Sequence, residues 1–155
     1  MADPFELLSA TDKPALLALS DPALVSATTN VLEGLGYKVH AASSPEDFTF
    51  RFSQIQYQLV VIEEQFSAAS VAENQTLRGL QIMPMVQRRH TVVILFGDSF
   101  QTLNALQAFR QSVHAVIQRS DLPSLSQILQ KAVADNNLFL NMYREVQTRI
   151  TQGKA

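Results

Sequence analysis

The side chains that could do chemistry are few and widely spaced in this chain of 155 residues. There is no cysteine, which excludes disulfides, thiolate metal sites and thiol catalysis. The three histidines have no partner at the spacing of a metal or catalytic motif, and we interpret His40 and His114, on or beside predicted strands, as structural. The chain also lacks a Walker phosphate loop, a GxGxxG turn and an HExxH helix. The sequence therefore predicts no enzyme activity, no cofactor and no metal.

Composition narrows the class of protein further. With 46% hydrophobic residues, 17% charged residues and a net charge of −2, the chain fits one globular domain with a full core. Near-neutral charge, with a single dense basic cluster at 88–90, does not favour nucleic-acid binding. Residues 1–10 have no basic leader, and the longest apolar runs are too short for a membrane span. We expect a cytoplasmic protein that binds neither nucleic acid nor a membrane.

Short apolar runs alternate with longer amphipathic segments, the pattern of βα units. Each run has four or five mostly apolar residues, as expected for strands that helices cover on both faces. The predicted strands are 15–19, 37–41, 59–62, 92–96 and 113–117. They predict an α/β fold, a three-layer α/β/α sandwich around a five-stranded parallel sheet.

Local signals mark the helices between these strands. Asp21, before a proline, is placed to cap a helix over 22–35, and Gly36 sits where a left-handed C-terminal cap belongs. The sequence signals for secondary structure are weakest over 65–90. There we predict a helix from about residue 71 that Pro84 kinks or restarts.

The last helix begins near 121–123 and is predicted to continue to about Thr151. Its apolar positions follow a heptad spacing of 4, 3, 4, 3, 4, 3, 4 through Leu125, Leu129, Ala132, Asn136, Phe139, Tyr143, Val146 and Ile150. The first half packs on the sheet, and Asn136, the polar position, favours a defined register. The second half, from Asn136 to Ile150, either forms a homodimer seam or folds back on Phe5, Leu7 and Leu8; we expect the homodimer.

In this order, the segments resemble the receiver domain of bacterial response regulators over about residues 13–134. The resemblance rests on 16–24 (LLALSDPAL), 32–39 (LEGLGYKV) and 57–62 (YQLVVI). It implies a flavodoxin-like strand order with a sheet of five parallel strands and five helices. The long C-terminal helix extends beyond it, so we divide the chain into an N-terminal segment (1–12), a receiver-like domain (13–134) and a helical extension (135–155).

The resemblance also implies a site at the carboxyl ends of the strands. Receivers hold magnesium with two acidic residues after the first strand and an aspartate after the third, which takes the phosphoryl group. A Ser/Thr after the fourth strand and a Lys-Pro pair after the fifth bind that group. This chain departs from the family at each of these places. Leu19 and Ser20 stand where the acidic pair belongs, although the acidic neighbour Asp21 is kept. Glu63 takes the place of the phosphoacceptor, Phe96 that of the hydroxyl residue, and Arg119-Ser120 that of the Lys-Pro pair.

These departures predict that phosphorylation is lost. One glutamate is a poor magnesium site. Its extra methylene also advances the carboxylate by about 1.5 Å, and a misplacement of about 1 Å can cost roughly a hundredfold in rate. Glu63 and Arg119 either form an ion pair across the strand ends or are both solvated at the sheet edge, where such a pair contributes about 0–1 kcal/mol. Phe96 is expected to fill the emptied pocket.

We therefore expect a non-enzymatic pseudo-receiver, a receiver-like protein–protein interaction module of bacterial signalling that works without phosphorylation. No output domain follows in this sequence, so a signal is expected to leave through a protein partner, which the resemblance places around 103–111 and 119–121. Two alternatives remain open. One is a phosphorylated or metal-dependent regulator using Glu63, and the other is a small-ligand sensor using the vacated strand-end pocket.

Overall fold

The computed structural model describes residues 12–153. The fold-back alternative for the last helix involves Phe5, Leu7 and Leu8, which lie outside the described residues. The fold is a five-stranded, wholly parallel sheet in the order β2-β1-β3-β4-β5. The predicted fold class and the flavodoxin-like strand order are confirmed.

All five predicted strands are present. Their bounds are β1 Lys13–Ala18, β2 Tyr37–Ala41, β3 Leu59–Glu63, β4 Val92–Gly97 and β5 Ala115–Gln118. The fifth begins two residues later than predicted, because the Val113 amide still donates to the Ala108 carbonyl at 3.0 Å and so caps the preceding helix.

Six α-helices connect and flank the strands in the described part of the chain. They are α1 Pro22–Gly34, α2 Pro45–Gln54, α3 Gln75–Ile82, α4 Met85–Arg88, α5 Ala105–Gln111 and α6 Leu125–Thr151. Asp21 caps α1 as predicted, since its carboxylate accepts from the Ala23 amide at 2.9 Å. Gly36, at φ +90°, takes the left-handed conformation that glycine allows after the helix end.

The segment between β3 and β4 differs in part from the predicted helix, which was to start near residue 71 and be kinked or restarted at Pro84. Val71–Glu73 is a 3-10 turn, and Asn74 then caps α3 by accepting from the Leu77 amide at 2.9 Å. Pro84, which has no amide to donate, ends this helix and starts the short α4. A restart at Pro84 was therefore correct, whereas the start near residue 71 was too early.

Helices cover the sheet on both faces and bury two apolar cores. One core lies between the sheet and the helices α1 and α6 and includes Leu17, Val61, Ile94, Phe96 and Leu129. The other lies beneath α2, α3 and α5 and includes Leu16, Ile62, Leu95, Phe48 and Leu80. This double burial fixes the strand ends, and with them the side chains that follow the strands.

The first half of helix α6 packs on the domain, and its C-terminal part extends into solvent. Its first half packs on the sheet through Leu125, Ile128, Leu129 and Ala132, and Leu140 is buried further along. Every described residue after Tyr143 is exposed. At about 1.5 Å per residue, its 27 residues span about 40 Å. No helix in residues 12–153 is both long and apolar enough to cross a membrane.

The structure changes the role of one predicted seam residue. Asn136 is only 9% exposed, and its side chain lines the same cleft as the His114 ring. Nδ1 of His114 in turn accepts from the Val93 amide at 2.9 Å. Asn136 is therefore covered by its own chain. The other positions of the predicted seam are exposed at Phe139, Val146 and Ile150 and half-buried at Tyr143, whose ring lies 4.4 Å from the Arg89 guanidinium.

Candidate functional site at the carboxyl ends of the strands

The candidate site is assembled from the residues that end β1, β3, β4 and β5. Because all strands are parallel, their carboxyl ends meet at one edge, the place where open α/β sheets bind ligands. Glu63 pairs with Phe96 across β3 and β4, and Phe96 pairs with Ile117 across β4 and β5. This register brings Ser20, Glu63, Phe96 and Arg119 together at one edge of the sheet.

Glu63 is the centre of the site. It is only 2% exposed, so its carboxylate needs protein partners. Ser20 donates twice, from Oγ to Oε1 at 2.8 Å and from its amide to Oε2 at 3.2 Å. Nη2 of Arg119 lies 3.4 Å from Oε1. Of the two arrangements considered for Glu63 and Arg119, the structure has the ion pair with a buried carboxylate.

Arg119 contacts three neighbours at once. Besides Glu63, its Nε donates to Asp98 Oδ1 at 3.2 Å, and its guanidinium lies 5.4 Å from the centre of the Phe96 ring. Its side chain is 31% exposed, so the cation is partly solvated while the carboxylate is not. Arg119 thereby connects the end of β5 to the ends of β3 and β4.

The other predicted positions do not carry chemistry at this edge. Leu19 and Phe96 are buried in the core beneath α1 and α6. Asp21 is exposed and its carboxylate caps α1. Ser120 is exposed in the 3-10 turn Arg119–Ser124.

These donors do not fit a magnesium ion. Mg²⁺ requires several oxygen ligands in near-octahedral geometry, yet Leu19 offers none from its side chain. The Glu63 carboxylate already accepts from Ser20 and faces the Arg119 cation. Within residues 12–153 no three His, Asp or Glu side chains are grouped so as to hold a metal ion.

Sequence reasoning missed a second buried carboxylate, Glu64, which is 4% exposed. Its Oε1 accepts from the Ser99 amide at 3.1 Å, and its side chain lies against Gly97, where a Cβ atom would be 2.6 Å from Glu64 Cγ. Asn74 Nδ2 donates to the carbonyls of both Glu63 and Glu64. The consecutive glutamates and the glycine that ends β4 were the available signals.

A second set of contacts fixes the loop between β4 and α5. The Thr102 hydroxyl donates to Asp121 and accepts from the Gln118 amide at 2.9 Å. Gln118 Nε2 also donates to the Asp98 carbonyl at 3.1 Å. The loop that precedes α5 is therefore held by the residues that follow β5.

Beyond this loop lies an exposed apolar surface. Leu103, Leu106 and Phe109, which we call the α5 patch, are 45%, 57% and 81% exposed. This is the face on which the sequence placed a protein partner.

A cleft of about 540 Å³ remains beside Ser20. Phe96 does not line it, so this side chain fills the core beneath Arg119 without closing the edge of the sheet. The residues around the cleft include Leu19, Ser20, Ser26, Ser43, Phe66 and Ser67.

Solved structures with a similar fold include receiver domains. A CheY-like receiver domain from Methanospirillum hungatei is 15% identical, with a TM-score of 0.64 over 82% of this chain and 98% of that one. One from Methylobacillus flagellatus is 21% identical, with a TM-score of 0.58 over 79% and 99%. The chemotaxis response regulator CheY4 of Vibrio cholerae is 9% identical, with a TM-score of 0.59 over 79% and 99%. No protein-family model and no curated protein sequence matches the chain. The chain thus has the CheY-like receiver fold.

Proposed function

We propose that this chain is a pseudo-receiver that acts, without phosphorylation, as a protein–protein interaction module in the cytoplasm of a bacterial signalling system. One observation carries the proposal. At the place where the receiver resemblance puts the phosphoacceptor, Glu63 is buried and already bound by Ser20 and Arg119. A carboxylate so held is neither free to attack a phosphodonor nor surrounded by ligands for the magnesium that phosphoryl transfer needs.

The Glu63–Arg119 pair also replaces the contact that phosphorylation would create. In the receiver domains that this chain resembles, the residue at the position of Arg119 binds the phosphoryl group carried by the residue at the position of Glu63. Here the two side chains meet directly at 3.4 Å, and Arg119 also holds Asp98. The loop before α5 is fixed by Thr102 and Asp121. The chain therefore keeps one arrangement of this face without a phosphoryl group.

The partner surface in this proposal is the α5 patch together with residues 119–121. Its three apolar side chains are exposed beside a polar rim, the composition typical of a protein contact. The same proposal includes a homodimer through the later part of α6, in the extension 135–155 beyond the receiver-like domain 13–134. Burying Phe139, Tyr143, Val146 and Ile150 would contribute up to roughly 1.5–3 kcal/mol for each large apolar side chain.

The test is an intact-mass measurement after incubation with acetyl phosphate and Mg²⁺. The proposal predicts an unchanged mass for the wild-type chain and for Glu63→Ala alike. A phosphoryl adduct on the wild type that Glu63→Ala lacks would establish the alternative, a regulator phosphorylated on Glu63. A Glu64→Ala variant is the matched control, because it removes the neighbouring buried carboxylate and leaves Glu63 in place.

The cleft beside Ser20 favours a second candidate, a small-ligand sensor. Its volume of about 540 Å³ falls within the range of roughly 300–1,000 Å³ typical of ligand sites, and four serines line it. A thermal-shift screen of uncharged polar metabolites tests this function. A hit that stabilises the wild type but not Ser26→Phe, which fills the cleft, would support it, and no stabilisation by any compound would count against it.

A further inference from the structure

The exposed face of α6 carries a continuous apolar stripe. Five large side chains in its second half are between 55% and 67% exposed: Leu138, Phe139, Met142, Val146 and Ile150. In this part of the helix Leu140 is buried, and the Tyr143 ring lies 4.4 Å from the Arg89 guanidinium. Such a stripe is stabilised when a second apolar surface covers it.

We infer that α6 packs antiparallel against α6 of a second copy, with a two-fold axis through Met142. This inference rests on the proposed homodimer and adds its orientation and register. Leu138 and Val146 lie four residues on either side of Met142, and Asp135 and Arg149 lie seven residues on either side. A seven-residue spacing keeps Asp135, Met142 and Arg149 on one face of the helix.

Charge selects the antiparallel orientation. About a two-fold axis at Met142, each Asp135 faces Arg149 of the second copy, so opposite charges pair at both ends of the stripe. A parallel, in-register pair would place Asp135 against Asp135 and Arg149 against Arg149, and like charges at such positions repel. Within one chain Asp135 pairs with Lys131, and Arg149 pairs with Glu145. Both pairs are exposed, so replacing them with pairs between two copies costs little free energy.

Shape also favours this register. A cleft of about 450 Å³ lies between α4 and α6, and its lining includes Met85, Ala132 and Phe139. In the antiparallel register the second copy's Ile150 lies opposite residue 134, next to this cleft. Met85, which is 62% exposed, is then available to cover the second copy's stripe.

Cysteine cross-linking tests the register, because the chain has no cysteine of its own. Met142→Cys, on the two-fold axis, is expected to form a disulfide dimer under mild oxidation, visible on a non-reducing gel. Val146→Cys alone is expected not to cross-link, whereas a mixture of Leu138→Cys and Val146→Cys chains is expected to do so. Asn137→Cys, exposed on another side of α6, is the matched control and should stay monomeric on the gel.

Charge reversal gives an independent measurement by light scattering. Asp135→Arg and Arg149→Asp are each expected to weaken dimerisation by roughly tenfold, or about 1.4 kcal/mol, and the double variant to restore it. Arg144→Asp, outside the stripe, is the control. A wild-type dimer in which Val146→Cys cross-links alone would overturn the antiparallel register but leave the homodimer standing. A wild-type monomer at all concentrations would overturn both.

Discussion

Glu63 illustrates how one buried side chain determines what the strand-end site can do. Burying a carboxylate is costly unless donors and an opposite charge surround it. Ser20 supplies two donors and Arg119 supplies the charge. The same contacts that make burial tolerable occupy the oxygens that a metal ion or a phosphodonor would need.

The first prediction concerns the stability of this cluster. Glu63→Gln removes the charge that Arg119 and Ser20 compensate, and it is expected to lower the free energy of unfolding by roughly 1–3 kcal/mol. Urea denaturation measures this change. Glu145→Gln removes an exposed pair on α6 and is expected to cost only about 0.3–0.5 kcal/mol. Equal effects of the two substitutions would mean that Glu63 is not specifically held.

The second prediction concerns Gly97. A Cβ atom there would lie 2.5 Å from Glu64 Oε1 and 2.6 Å from its Cγ, and the buried Glu64 has little room to move. Gly97→Ala is therefore expected to destabilise the chain by roughly 1–3 kcal/mol through overpacking. In the Glu64→Ala background the same substitution should cost much less, because the clashing atoms are gone. Additive costs in the double variant would argue against this contact.

At this scale the sequence located the ends of the strands but not the contacts between the side chains there. The strand ends placed Ser20, Glu63 and Arg119 together, because parallel strands finish at one edge. The choice between an ion pair and two solvated charges depended on side-chain burial, which no spacing specifies. Glu64 was missed for a related reason, since alternation along a strand does not determine how the first residue after it turns.

At the scale of elements, apolar runs were sufficient to locate all five strands, because helices bury them on both faces. The region before β4 was predicted less well. There a polar cap at Asn74 and a proline at 84 divide a short stretch into a 3-10 turn and two helices. Helix α6 was predicted in extent, but the inward contact of Asn136 with His114 depended on where the helix docks.

That contact leads to a prediction about pH. Partial burial, with Arg88 nearby, lowers the pKa of His114 below its ordinary value of about 6.5, against the opposite effect of the Asn136 hydrogen bond. A neutral Nδ1 accepts from the Val93 amide, and a protonated one cannot. The stabilisation that neutral His114 gives the folded chain is fully present above pH 6.5. It is lost as the pH falls below that value, because His114 takes up its proton more readily in the unfolded chain.

Thermal melts at pH 7.5 and pH 5.5 measure this effect. The melting temperature is expected to be lower at pH 5.5 than at pH 7.5. This difference is expected to be smaller in His114→Gln. Part of the fall should remain in that variant, because burial lowers the pKa of His40 as well. His90→Gln is the control. A fall that His114→Gln leaves unchanged would contradict the role assigned to this ring.

At the scale of the whole molecule, the chain combines a receiver fold with a C-terminal helix that extends beyond it. A chain ending after Tyr143 keeps Asn136 and Leu140, which pack within the domain, and loses Val146 and Ile150. It is expected to be a monomer by light scattering, while the full chain is a dimer, and to melt within a few degrees of it. The same oligomeric state in the two chains would contradict the proposed homodimer seam.

We propose that the strand-end site keeps one arrangement without a phosphoryl group. The most direct test is to record amide NMR spectra before and after adding beryllofluoride, a phosphoryl mimic, with Mg²⁺. We expect unchanged signals for Gly97 to Gln111 and for Arg119 to Asp121 in the wild type. The Arg119→Ala variant, which releases Glu63 and Asp98, should shift them. Shifts in the wild type that begin at Glu63 and extend to the α5 patch would show a working switch and contradict this proposal.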